Sequence, residues 1–145
     1  MGEGEGGVKR KHKITKNSKK LIRLITGLKR LESCRQKFKE NKILTVTSTY
    51  ILEVLCFTKK HIGVLKRNYE IHEHNTRNKY DLQIPPHNTS LLQKSVLHMG
   101  VRLYKQLPMR IKNLDTHNQF RKNVKLILQQ NTIYKLEEYL QATFE

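Results

Sequence analysis

Apolar residues recur at three- and four-residue intervals from Leu21 to Leu31 (Leu21, Ile22, Leu24, Ile25, Leu28, Leu31), the spacing of one face of a helix. Asn17 and Ser18 stand ahead of this run as N-cap residues. Lys19, Lys20, Arg23, Lys29 and Arg30 fall largely opposite the stripe, so the pattern predicts a basic amphipathic helix. Ser33 to Gln36 has capping-box spacing and predicts a short second helix through Phe38 to about Glu40, ended by Asn41. Tyr50 to Phe57 is the most apolar segment and is apolar nearly all round, which predicts a central buried helix capped by Thr47 or Ser48, with Leu55 in the core.

The pattern then changes. Residues about 59–98 are polar, rich in Asn and His, and carry Pro85 and Pro86, so they predict a long loop in which Tyr80–Ile84 is a short extended segment. Helical character returns at Gly100–Pro108, with Val101, Tyr104 and Leu107 on one face and Pro108 as the stop. Tyr104 reads as a core anchor rather than a base-stacking platform, because its neighbours at helical spacing are apolar. Thr116–Gln119 is a second capping box before a helix through Phe120, Val124, Ile127 and Leu128. Thr132 is expected to cap a last helix from Ile133 to about Ala142, with Glu137 and Glu138 early in it. The sum is an all-α fold: a small irregular helical domain of five or six helices over 17–145, preceded by a disordered basic tail over 1–16.

Charge adds a partner class. The net charge is +17, and residues 1–42 hold 14 Lys and Arg against 4 Asp and Glu, while 43–145 hold 15 against 8. Such a surplus attracts polyanions, because each cation set on a phosphate releases a condensed counterion, so RNA or DNA is the expected partner. No apolar stretch of about 18 residues and no leader-type apolar region occurs, which predicts an intracellular chain, nuclear or cytoplasmic, without a membrane partner. Cys34 and Cys56 give no disulfide framework, and Cys56 sits where a buried structural thiol belongs.

Four segments, in order, resemble the trailing segment of jockey-type non-LTR retrotransposon reverse transcriptases: Leu21–Gly27 (LIRLITG), Ser33–Thr45 (SCRQKFKENKILT), His74–Arg77 (HNTR) and Gly100–Pro108 (GVRLYKQLP). The resemblance runs from about Ser18 to Leu140 and implies a piece that lay behind the polymerase core, with the remainder of such an enzyme as a possible partner. It also implies what is missing. The family's nucleotidyl transfer needs carboxylates converging on two metal ions, whereas the only aspartates here, Asp81 and Asp115, are separated by 33 residues and lie in no paired turn. The chain is therefore expected to be no enzyme by itself.

Other chemistries find little to stand on. His61, His72 and His74 with Cys34 and Cys56 lack the spacing of a zinc module, no nucleophile elbow is present, and Gly27, Gly63 and Gly100 are isolated, so no metal, cofactor or small-molecule substrate is expected. Arg77, in His74-Asn75-Thr76-Arg77, offers a planar fork for a phosphate or for a carboxylate of the chain itself. The candidate contacts to nucleic acid are thus Lys19, Lys20, Arg23, Lys29, Arg30 and Arg77. Lys9 to Lys13 forms a basic run of the kind an import receptor reads. Deleting residues 2–13 from a fluorescent fusion should lower the nuclear-to-cytoplasmic ratio; an unchanged ratio would reduce the run to surface charge.

Overall fold

The computed structural model describes residues 3–71, 77, 79–84 and 95–144, and within the first helix the side chains from Lys13 on. Among these residues are seven α-helices and no strand: α1 (Glu3–Thr26), α2 (Arg35–Glu40), α3 (Val46–Lys60), α4 (Val96–Lys105), α5 (Met109–Lys112), α6 (His117–Asn131) and α7 (Leu136–Gln141). One 3-10 turn, Asn68–Glu70, lies between α3 and α4. The all-α expectation holds, with the four-residue α5 as an extra element behind Pro108.

The apolar segment around Leu55 is the hub. Ile51, Leu52, Val54, Leu55 and Cys56 are buried, and α3 packs against α4 on one side and α6 on the other. Val101, Leu103, Tyr104 and Leu107 come from α4 and the turn behind it, and Phe120, Val124, Ile127 and Leu128 from α6. Tyr104 stacks on Phe120 with ring centroids 6.2 Å apart, so its role as a core anchor holds. Tyr139 of α7 is fully buried against this cluster and donates its hydroxyl to Leu103 O at 3.4 Å. Burial pushes its phenol well above the usual range. Cys56 is buried as expected, and burial raises its thiol.

Several ends differ from the sequence expectation. The helix expected from Asn17–Ser18 begins at Glu3, so residues 3–16, expected as a disordered tail, belong to α1. Lys9, Arg10, Lys11, Lys13 and Lys16 are good helix formers and extend a nucleated helix, against a cost of about 1 kcal/mol at each of Gly4, Gly6 and Gly7. Ser18 therefore bonds back to Ile14 O at 3.0 Å instead of capping. The cap of α3 is Thr45, not Thr47 or Ser48, and Thr45 Oγ1 accepts from Ser48 N at 3.1 Å. The two capping boxes do not form: the caps of α2 and α6, Cys34 and Thr116, make no side-chain cap bond, and Ser33 Oγ accepts instead from Arg35 N. Thr132 ends α6 in the left-handed region, φ 32°, rather than starting the last helix, which opens behind Lys135. Helix α4 starts at Val96, where Ser95 accepts from His98 N at 3.3 Å, so the loop is shorter than 59–98. Within that loop, of the segment Tyr80–Ile84 expected to be extended, Leu82 is bridged antiparallel to Arg67, whereas Tyr80 lies in a turn and Asp81 in a bend.

Gly100 shows why α3 and α4 approach so closely. It is buried, and a Cβ built there would run into Thr58 Oγ1 and meet Val54 Cγ1 at 3.5 Å. Thr58 cannot swing away freely, because it is buried and its hydroxyl donates to Val54 O at 2.8 Å. Gly100→Ala should destabilise the fold by about 1 to 3 kcal/mol, the usual cost of overpacking. Thr58→Ala in the same chain should return part of that stability; chemical denaturation of both variants measures it, and additive destabilisation would refute the packing at Gly100.

Candidate functional site

The site is built outward from the N-terminus of α3. Thr45 Oγ1 donates to Ile133 O, and Thr47 Oγ1 donates to Tyr134 O at 2.7 Å, so the start of α3 grips the chain between α6 and α7. This fixes the ring of Tyr134. Lys19 Nζ of α1 lies 4.0 Å from the ring centre, the Arg35 guanidinium 4.9 Å from it, and Phe38 meets its edge at 6.0 Å. Ile22, Cys34 and Phe38 form a second small core here, with Leu28 and Tyr134 half-buried beside it. Helix α1 thus rests on the body along the row of Lys19, Ile22 and the neighbouring turn.

That resting face corrects the orientation that the sequence predicts for α1. Periodicity turns the leucine stripe inward and the cations outward. Ile22 alone of the stripe is buried: Leu21, Leu24, Ile25 and Leu31 are 59%, 84%, 69% and 97% exposed. The reason lies in the partner surface, since the second core offers room for one helical row and the main core is already closed by α4, α6 and α7.

The chain then reverses. Gly27, φ +68°, ends α1 in the left-handed region, and Leu28 N bonds Arg23 O at 3.1 Å, the closing bond of a Schellman turn. Behind it, Lys29 N donates to Glu32 Oε2 at 3.1 Å, and Arg23 Nη2 reaches Glu32 O at 3.1 Å. This turn brings Arg30 alongside the last turns of α1. The result is an open cleft of about 720 Å³ lined by Lys16, Lys19, Lys20, Arg23 and Arg30 together with Leu24, Gly27 and Leu28. Among the described residues, no carboxylate lines it. Arg23 Nε is shielded from solvent and has no hydrogen-bond partner among the described residues.

Four of the six candidate cations are therefore brought together, Lys19, Lys20, Arg23 and Arg30, and Lys16 joins them. Lys29 is exposed outside the cleft lining, and Arg77 is exposed on the loop between α3 and α4, also outside the lining. His74, Asn75 and Thr76, like His72, lie outside the described residues. Cys34, Leu55, Gly100 and Tyr104 are buried, and Pro108 is the N-cap of α5. Cys34 and Cys56 fall in different cores, and no cluster of three His, Cys, Asp or Glu that could hold a metal occurs among the described residues. A second, more apolar groove of about 820 Å³ shares Lys16 and Lys19 with the cleft and runs past Val46, Tyr50, Tyr134 and Leu136. Sequence reasoning misses both hollows: the spacing of the lysines is visible, but the return of Arg30 depends on the left-handed Gly27, which in the sequence is only an isolated glycine.

Other cations serve the fold. Lys112 Nζ donates to Lys105 O at 3.1 Å and Lys59 Nζ to Lys112 O at 2.8 Å, so each satisfies a helix-end carbonyl. Burial pushes the Lys112 ammonium below its usual range. The Arg121 guanidinium grips Glu53 through two bonds of 2.6 and 3.2 Å between α6 and α3, and holds that carboxyl below its usual range.

Compared with known protein families, curated proteins and solved structures, the chain matches none. The dependence of α1 on Tyr134 is directly testable. Tyr134→Ala should speed tryptic cleavage after Lys19 and Lys20 while the cooperative unfolding of the α3 core persists. Cleavage at the native rate would mean that α1 is held by Ile22 and its neighbours alone.

Proposed function

We propose that the chain is a non-catalytic remnant of a non-LTR retrotransposon reverse transcriptase that binds nucleic acid without reading its sequence, through the cleft beside α1. The observation that carries the binding reading is the convergence of five cations on one open cleft with no carboxylate among the described residues of its lining. Such a site suits a polyanion with spaced phosphates, since several counterions are released together. The remnant reading rests on the ordered sequence resemblance. No catalysis is assigned, because Asp81 lies at a bend of the loop between α3 and α4 and Asp115 ahead of α6, with no paired turn between them.

A second reading, a helical packing module for another protein, has its own support in the exposed Leu21, Leu24, Ile25 and Leu31. The two separate on salt. Lys16→Gln, Lys20→Gln and Arg30→Gln together remove charge while sparing Lys19 and Arg23, whose contacts hold α1. Affinity for a random oligonucleotide should fall, and the slope of log affinity against log salt should flatten by about one unit for each phosphate that is no longer neutralised, with the helical circular dichroism unchanged. Unaltered affinity and slope would transfer the case to the packing module.

A further inference from the structure

The cleft is not uniformly polar. Leu24 and Leu28 line it among the cations, and Leu24 is 84% exposed. On the outer face of a duplex an aliphatic side chain between lysines meets phosphate and sugar, since the base faces are stacked inside. A single strand bares its base faces, and an apolar wall beside cations then covers a base while the neighbouring phosphates are neutralised. Size points the same way. A hollow of about 720 Å³ is the volume of a small-molecule pocket, room for a nucleotide or two of a bending strand. A duplex, stiff over roughly 150 base pairs, can only lie across the mouth.

We propose, on the basis of the nucleic-acid reading above, that the ligand of this cleft is a single strand. Lys16, Lys20 and Arg30 take its phosphates, and Leu24 covers the face of a base. The guanidinium of Arg30, exposed and planar, can also lie flat on a neighbouring base. The ring of Tyr134 is taken by Lys19 and Arg35, so the described cleft offers aliphatic rather than aromatic cover, and base preference should be slight.

The test uses the full chain and one oligonucleotide of about 20 nucleotides, free or annealed to its complement, by fluorescence anisotropy at matched salt. The single strand should bind on the order of tenfold tighter than the duplex. Leu24→Gln, at an exposed position, should weaken single-strand binding by about tenfold and leave the salt slope and the duplex affinity as they were, because no charge is removed. Leu24→Tyr should tighten single-strand binding by providing a ring to stack. Equal or tighter duplex binding, or indifference to both Leu24 substitutions, overturns the single-strand assignment while the cationic reading stands. Absence of binding to either form overturns both.

Discussion

The contact that sets the rest of the architecture is the close approach of α4 to α3 at Gly100. With no side chain at that position, the backbone of α4 settles onto Thr58 and Val54, and Val101 and Leu103 enter a core that α6 closes from the other side. Helix α3 is thereby covered around most of its circumference. What remains exposed of it for α1 is its N-terminal end, where Thr45 and Thr47 have already bound the Ile133–Tyr134 backbone. The position of α1, and so the cleft beside it, follows from the completeness of the main core rather than from any strong attraction of α1 itself.

Much of the fold is legible in the sequence where periodicity and burial agree. The segment around Leu55, the face of Val101, Tyr104 and Leu107, and the row of Phe120, Val124, Ile127 and Leu128 all pack as their spacing predicts. Capping is less legible. Thr45, Thr47 and Ser48 can each accept a backbone bond, and which of them does so depends on the return of Ile133, 88 residues away from Thr45 in sequence. Thr132 is a similar case, since its left-handed conformation serves the turn out of α6 and its hydroxyl reaches Arg35 O at 3.4 Å. The candidate site is half legible. A stripe of leucines states that a helix is amphipathic but not which of its rows finds a partner, and α1 offers the row of Ile22 instead.

The surplus of positive charge divides by location. Lys59 and Lys112 neutralise helix-end carbonyls, and Arg121 holds Glu53, so these cations are consumed in joining helices. Beside α1, Glu32 serves the turn through its carboxylate and its carbonyl. Repulsion among Lys16, Lys20 and Arg30 is therefore uncompensated within the cleft lining, which raises the potential in the hollow that they share.

The narrow footing of α1 has an energetic consequence. Helix α1 rests on the small core of Ile22, Cys34 and Phe38, with Lys19 over Tyr134 and Arg23 bonded to the following turn, a footing narrow enough for it to open while the α3 core stays closed. Any ligand seated against it binds only the docked form. Part of the interaction energy then goes into holding α1 down, and the observed affinity is reduced by the fraction of time that the helix is lifted. Substitutions under α1, at Phe38 or Tyr134, would in this way change binding at a cleft that they do not line.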